Sequence, residues 1–166
     1  MSNKKVIIVG SSRSNGNTSK FISDISEKYP IDVIDLNNYN FSYYDYEGKN
    51  LGDDFLPLIK SILKKYDTLI FATPVYWYNM SGIMKVFFDR FSDLIRIEKE
   101  EGRKLRGKNM FVISNSHSDL IDASFYIPFQ KSADYLGMNY LGDIHLNANK
   151  INELKNVANL TQLYNA

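Results

Sequence analysis

Hydroxyl-bearing residues and glycines are concentrated in one short stretch, GSSRSNGNTSK, which runs from Gly10 to Lys20 directly after the apolar run VIIV. Loops of this composition after a buried strand bind anions, because small residues let backbone N–H groups approach the ligand and the next helix points its free N–H groups at it. Two familiar phosphate-binding patterns do not fit. A GxxxxGK[ST] loop needs lysine where Asn17 stands, and a GxGxxG loop needs glycine at Ser12 and Asn15.

The missing lysine favours a single phosphate monoester over a nucleoside triphosphate, which normally needs both lysine and magnesium. Charge-assisted hydrogen bonds contribute about 1.5–3 kcal/mol each. Four or five of them, together with a helix N-terminus, can therefore hold a phosphate dianion. The alternative is a well-capped turn between strand and helix that binds nothing.

A second stretch, TPVYWYNMSGIMKVFFDRF from Thr73 to Phe91, is rich in aromatic residues. Pro74 is expected to end a strand, and the following Val75–Tyr78 places large planar side chains at the strand's carboxyl end. A planar ring system would pack there, since stacking on an aromatic side chain contributes about 1–3 kcal/mol per ring. The alternative is that Trp77 and its neighbouring tyrosines are core or interface residues.

Short apolar runs alternate with helical patterns along the chain, which predicts a parallel sheet with helices on both faces. Strands are predicted at Lys5–Val9, Ile31–Leu36, Thr68–Ala72, Asn109–Ser114 and Met138–Leu146. Helices are predicted at Thr18–Lys28, Asp53–Lys65 (with Asp53 or Asp54 as N-cap), Ser81–Ile95, Asp119–Leu136 (entered or interrupted near Pro128) and Ile151–Leu163. Asn37–Gly52 is interpreted as a long polar and aromatic loop, and Glu98–Lys108 as a solvated connection.

Ligands of such sheets bind outside the carboxyl ends of the strands. Three segments therefore matter most for function, and they are called here the first, second and third loops: Gly10–Asn17, Thr73–Asn79 and Ser114–Ser118.

Composition indicates one soluble globular domain spanning residues 1–166, with 44% hydrophobic residues and a net charge of +1. This charge gives no reason to expect a nucleic acid or an anionic membrane as partner. The chain has no cysteine, which excludes disulfides, thiol nucleophiles and cysteine-ligated metals, and its two histidines do not suggest a metal centre. With no apolar run long enough for a membrane span or signal sequence, a cytosolic location is expected.

The two motifs resemble a known family. GSSRSNGNTSK is similar to the GSPRxxGNT loop, and ATPVYWYNMSGIMKVFFDR to the TPVYWxxMSxxxKxFxDR stretch, of the flavodoxin-like NAD(P)H-dependent FMN reductases. The resemblance covers essentially the whole chain and implies a doubly wound α/β sandwich with strand order 2-1-3-4-5. It also implies that the bound phosphate is that of FMN, with NADPH or NADH as co-substrate.

Carried over by position, the resemblance implies two groups of cofactor-binding residues and no catalytic or metal-binding residue. The phosphate and ribityl chain would be bound by the first loop and the start of its helix, at Ser11, Arg13, Gly16, Asn17 and Thr18. The isoalloxazine would be lined by Pro74, Val75, Tyr76, Trp77 and Asn79, with Ser114 and His117 of the third loop nearby. His117 either stabilises charge at the N1–C2=O edge of the reduced flavin or is a solvated loop histidine, and His145 is assigned a structural role.

The sequence departs from some relatives in the long loop, where FSYYDYEGKN replaces the cysteine cluster of the iron–sulfur flavoproteins. Electrons would therefore enter and leave through the flavin alone. The expected function is two-electron transfer, with hydride passing from the nicotinamide to flavin N5 and then to a small acceptor: a quinone, a nitro or azo compound, or free flavin.

Two alternatives stay open, a flavodoxin-type electron carrier and a flavin-binding dimer without turnover. The apolar surplus on Ser81–Ile95 is consistent with a homodimer contact, or with a helix buried on two sides.

Overall fold

The structure, a computed structural model, describes residues 4–150 of the chain. The strands are β1 (Lys5–Val9), β2 (Asp32–Asp35), β3 (Thr68–Pro74), β4 (Asn109–Ser116) and β5 (Asn139–Asn147). The helices are α1 (Asn17–Lys28), α2 (Phe55–Lys65), α3 (Gly82–Asp89), α4 (Phe91–Arg96), α5 (Lys99–Arg103) and α6 (Ile127–Leu136), with 3-10 turns at Leu36–Asn38 and Ala123–Tyr126.

The five strands form one sheet in the order β2-β1-β3-β4-β5, and every neighbouring pair is parallel. This confirms the predicted flavodoxin-like topology. The register brings the ends of β1, β3 and β4 together, since Val9 pairs with Ala72 and Thr73 pairs with Ser114. The first, second and third loops consequently begin side by side at the carboxyl edge of the sheet.

The central strands β1, β3 and β4 are buried on both faces, as their continuous apolar runs predict, whereas the edge strands β2 and β5 are partly exposed. One face packs against α1 through Phe21, Ile22 and Ile25. The opposite face packs against α2, α3, α4 and α6 and contains a cluster of edge-to-face phenylalanine pairs, among them Phe71 with Phe88 and Phe55 with Phe87. These two cores hold the strand ends in fixed positions relative to one another.

The prediction of a single helix over Ser81–Ile95 was wrong, because the helix ends at Asp89 and a new one begins at Phe91. The residue between them, Arg90, is 1% exposed, and its guanidinium binds four residues, of which three belong to the long loop after β2 and one, Asp93, to α4. On the face of the sheet opposite α1, the apolar residues Met84, Phe87 and Phe91 of these two helices all lie in the core.

Other boundaries differ from prediction for local reasons. The expected helix over Asp119–Leu136 is a 3-10 turn followed by α6, which starts at Ile127 with Pro128 in its first turn. The connection Glu98–Lys108 is not wholly solvated, since it contains α5 and the fully buried Leu105. The predicted helix at Ile151–Leu163 lies outside the described residues.

The N-cap of α2 is Asp54, one of the two predicted residues, although among the described residues no side chain forms a cap hydrogen bond from that position. The Asp53 carboxylate instead accepts from the N–H of Phe55 at 3.0 Å and from Arg90, while Asp54 accepts from the N–H of Asn40 at 2.7 Å. Within residues 4–150, no helix is long and apolar enough to cross a membrane.

Candidate functional site

Hydrogen bonds between side chains join the three loops at the carboxyl edge of the sheet. Ser12 Oγ of the first loop lies 2.8 Å from the Tyr76 hydroxyl of the second. Asn115 of the third loop accepts from the Thr18 hydroxyl at 2.7 Å through its side-chain oxygen, and from the Val75 N–H at 2.9 Å through its carbonyl. The segments that the sequence singled out as functional thus form one continuous site.

The position of the first loop is fixed by close packing on α3. A Cβ atom at Gly10 would lie 2.8 Å from Met84 Cε and 2.9 Å from Met84 Cβ, so this residue has no room for a side chain. The Ser81 hydroxyl donates to the Gly10 carbonyl at 2.7 Å, and Asn37 Nδ2 donates to the Ser11 carbonyl at 2.8 Å. The loop is therefore anchored by two of its carbonyl groups and by the Gly10 N–H, which donates to the Ala72 carbonyl at 2.8 Å.

The start of α1 fits an anion. Its N-cap residue is Gly16, and no side chain of residues 4–150 forms a cap hydrogen bond there, so within that range the N–H groups of the first helical turn have no intrahelical or capping partner. The Ser19 hydroxyl is buried and also has no hydrogen-bond partner among the described residues. The Thr18 hydroxyl is already donated to Asn115, which leaves this residue's backbone N–H for a ligand.

The second loop contains a tight turn whose central residues, Trp77 and Tyr78, have positive φ angles of 49° and 63°. Tyr76 and Asn79 close it by exchanging two backbone hydrogen bonds of 2.9 and 3.0 Å. Both central angles lie in the left-handed region, as in the type I′ turn that ordinarily uses Asn and Gly. Two bulky residues held there cost about 1–2 kcal/mol each.

Strain of this kind is characteristic of functional sites. The turn holds Trp77 95% exposed and Tyr78 84% exposed, beside Tyr76. It therefore presents aromatic surface to solvent at the edge of the site, which argues against a core role for Trp77.

The third loop is attached to β5 through His145. The Ser114 hydroxyl is fully buried and lies 2.7 Å from both the Tyr126 hydroxyl and His145 Nδ1. His117 is exposed, and its Nδ1 lies 3.0 Å from the side-chain oxygen of Asn149. The site near this loop thus has one exposed histidine and one embedded in a hydrogen-bond network.

Burial alters the ionisation of two groups in that network. Burial lowers the pKa of His145 below its ordinary value, against smaller raising contributions from the Ser118 carbonyl and Asp119. Burial raises the pKa of Tyr126 to about 12, in spite of its hydrogen bond with Ser114. Both side chains are therefore neutral near pH 7.

Arg90 connects the site's supporting helix to the long loop between β2 and α2. Its guanidinium binds Asp53 at 2.5 and 3.0 Å, Asp93 at 2.6 Å, and the carbonyls of Ser42 and Asn50 at 2.9 and 3.1 Å. Burial alone would raise the pKa of Asp53, but hydrogen bonds from Arg90 and from the N–H groups of Ser42 and Phe55 lower it below its ordinary value. This network holds a loop that otherwise has little regular structure.

The structure brings most of the predicted residues to one edge, although several side chains already have partners. Ser11, Gly16 and Asn17 lie on the first loop or the start of α1, and Arg13 is exposed there. The Val75 N–H and the Ser114 hydroxyl are bonded within the protein, and Asn79 Oδ1 accepts from the Met80 N–H at 2.8 Å. No group of three or more acidic or histidine side chains among residues 4–150 is arranged to hold a metal ion.

Sequence reasoning missed the residues that join the loops. These are Asn37, Ser81, Asn115 and Tyr126, together with Arg90, which binds the long loop after β2. The available signal was a polar residue next to a strand end or helix start, as in the sequence SNS at Ser114–Ser116. That signal does not identify the hydrogen-bond partner of each residue. The partners lie 26 to 97 residues away in sequence or on another element.

The chain is similar to proteins of one known family. A family model described as NADPH-dependent FMN reductase matches residues 3–153. The Bacillus subtilis (strain 168) protein named "Putative NAD(P)H-dependent FMN-containing oxidoreductase YwqN" is 29% identical over 154 residues, which cover 84% of this chain and 82% of that protein.

Solved structures with similar architecture include the Trp repressor binding protein from Bacillus subtilis. It has 26% identity and a TM-score of 0.69, over 87% of this chain and 84% of that one. The general stress protein 14 from Treponema denticola, solved in complex with FMN, has 16% identity and a TM-score of 0.65, over 90% of this chain and 92% of that one. The second likeness concerns the fold alone.

Proposed function

The chain belongs to the NADPH-dependent FMN reductase family, and from that premise we propose that it passes two electrons from NAD(P)H through FMN to a small acceptor. The family match confirms the predicted enzyme class and cofactor. The acceptor, the hydride step and the individual binding residues are proposals. One observation supports them most directly: the anion-binding first loop and the aromatic second loop are joined at one edge by the Ser12–Tyr76 hydrogen bond.

The residues at the site fit the two ends of FMN. The free N–H groups at the start of α1, the Ser19 hydroxyl and the exposed Arg13 suit the terminal phosphate. The second loop, from Pro74 to Asn79, offers aromatic surface and the N–H groups of Trp77 and Tyr78, which have no partner among the described residues. Ser11, Gly16, Asn17 and Thr18 would act through the loop backbone.

FMN held by these two loops would supply the redox chemistry, which is acceptance of a hydride from NAD(P)H and release of two electrons to the acceptor. The protein's contribution is positioning. The first loop fixes the phosphate end, while Trp77 and Tyr78 offer flat surface on which a planar acceptor such as a quinone or a nitro or azo compound can lie. We name no catalytic residue, and His117 is proposed to lie beside the flavin rather than to transfer a proton.

We further propose that the chain is one domain that works in the cytosol as a homodimer. The exposed aromatic side chains of the second loop support an interface or ligand role. A flavodoxin-type carrier is the second candidate, but carriers of that type dock through strongly acidic surfaces, and the net charge of this chain is +1.

Anaerobic visible spectroscopy of the purified protein with FMN tests the proposal. We expect flavin absorbance to bleach on addition of NADPH or NADH alone, and to return when a quinone is added. A carrier would need a separate reductase for bleaching, and a binding protein without turnover would bleach without passing electrons to any acceptor. Failure to bind FMN would contradict all three functions.

A further inference from the structure

His145 connects β5 to both ends of the third loop. Its Nδ1 lies 2.7 Å from the Ser114 hydroxyl, and its Nε2 lies 3.0 Å from the Ser116 hydroxyl and 3.2 Å from the Ser118 carbonyl. A single half-buried side chain thus contacts the beginning, middle and end of a segment of five residues. Every one of these partners belongs to the segment proposed to lie beside the flavin.

The partners of the ring define its tautomer. The Ser118 carbonyl only accepts hydrogen bonds, so Nε2 must carry the proton, and Nδ1 of the neutral ring then accepts from the Ser114 hydroxyl. Ser114 in turn accepts from the Tyr126 hydroxyl at 2.7 Å. Both ring nitrogens are therefore used in holding the third loop, and each has a distinct role.

The third loop is held from the opposite side by Asn115, which binds Thr18 of α1 and Val75 of the second loop. His145 and Asn115 thus fix the same segment from its two sides, one toward β5 and one toward the cofactor loops. On the β5 side, His145 lines an open cleft of about 530 Å³ together with Asp119, Asp143 and Gln130. Since that side is open, hydrogen bonds rather than packing hold the ring to the loop.

We propose that His145 is a positioning residue that holds the third loop in place beside the cofactor site, through the bond from Nε2–H to Ser118. The proposal rests on the proposed function in one respect: the third loop is taken to border the flavin. The hydrogen bonds themselves belong to the protein without cofactor, so they can be tested separately.

Two substitutions separate the roles of the ring nitrogens. In His145→Gln the side-chain amide reaches the position of Nε2 and can still donate to Ser118, while the bond with Ser114 is lost. In His145→Asn the amide reaches only the position of Nδ1, so the contact with Ser114 is kept and the bonds with Ser116 and Ser118 are lost. Both residues are neutral and polar, and both are smaller than histidine.

Amide hydrogen exchange of residues 116–120 in the flavin-free protein is the direct measurement, since the Ser118 N–H itself donates to Ser116 Oγ at 3.1 Å. We expect exchange in His145→Asn to be about fivefold faster than in the natural protein, the effect of losing roughly one net hydrogen bond. His145→Gln should stay within about twofold. Tyr126→Phe, which leaves every bond between His145 and the loop intact, is the control and should also stay within that range.

Equal exchange in the Asn and Gln variants, or faster exchange in the Gln variant alone, would overturn the proposal. The dissociation constant for FMN should follow the same order, with the largest value, and so the weakest binding, in His145→Asn. If the natural protein does not bind FMN while the exchange rates keep this order, the proposed function fails and the positioning role stands. If FMN binds equally well to all variants and exchange is unchanged, the positioning role fails and the function stands.

Discussion

Arg90 is the residue on which the long loop after β2 depends. Its planar guanidinium satisfies two carboxylates and two carbonyls at once and lies 4.8 Å from the centre of the Phe55 ring. Lysine carries the same charge but cannot reproduce this fork of donors. Removing part of a buried charge network leaves carboxylates without partners, which is far more costly than losing an exposed pair.

We therefore expect Arg90→Lys to lower the free energy of unfolding by about 2–4 kcal/mol, measured by urea denaturation. The matched control is Arg96→Lys, the same chemical change at an exposed arginine that bonds the Tyr44 hydroxyl at 2.6 Å. The control should change stability by no more than about 0.5 kcal/mol. Similar losses in both variants would show that the buried network is not what stabilises this region.

The lowered pKa of His145 predicts that the free energy of unfolding depends on pH. The pKa of His145 is lower in the folded chain than its ordinary value of 6.5. Between these two pKa values the unfolded chain therefore binds a proton at His145 and the folded chain does not. Stability should therefore fall as pH decreases from 6.5 toward the lowered folded pKa, and should be unaffected by this residue above that range. His145→Gln should show a flatter dependence between pH 7.5 and 5.5 in urea unfolding. A parallel dependence in both proteins would contradict the assignment.

At the scale of elements, the turn of the second loop places strain where the ligand is proposed to bind. Replacing its central residues, Trp77→Asn together with Tyr78→Gly, supplies the sequence that this turn geometry favours. We expect the free energy of unfolding to rise by about 1 kcal/mol, while the rate of quinone reduction falls because the aromatic surface is gone.

The control for this pair is Tyr43→Gly, which removes an aromatic residue that is 74% exposed from a position whose φ angle is not positive. That change should not stabilise the protein. Glycine at this position only increases the conformational entropy of the unfolded chain, which lowers the free energy of unfolding. A gain in stability as large as that of the turn variant would mean that exposed aromatic surface, and not backbone strain, is what the substitutions relieve.

The elements themselves were largely predictable, because their apolar periods are long and regular. All five strands and the helices α1 and α2 lie where these patterns place them, within a few residues, whereas α6 ends where predicted but begins eight residues later, at Ile127. The break at Arg90 was not predictable, since the apolar spacing continues through it and the partner of its guanidinium, Asp53, lies 37 residues away in sequence. Likewise the N–H groups at the start of α1 could be predicted, but the partner of Thr18 could not.

At the scale of the whole molecule, cofactor binding should be visible as stabilisation of the fold. FMN at one hundred times its dissociation constant adds about 2.7 kcal/mol, which corresponds to a rise in Tm of roughly 5–10 °C for a chain of this size. Riboflavin has the same ring system without the phosphate, so it should raise the Tm much less if the first loop binds the phosphate. Equal shifts for the two compounds would exclude that loop as the anchor.

The hydrogen bond between Thr18 and Asn115 spans 97 residues, and the one between Ser12 and Tyr76 spans 64. During synthesis the first loop leaves the ribosome long before Asn115 exists, and β5, whose His145 completes the third loop, follows later still. A nascent N-terminal half therefore has no finished site. We expect flavin capture at the proposed site to be a late event in the life of the chain, after all five strands have assembled.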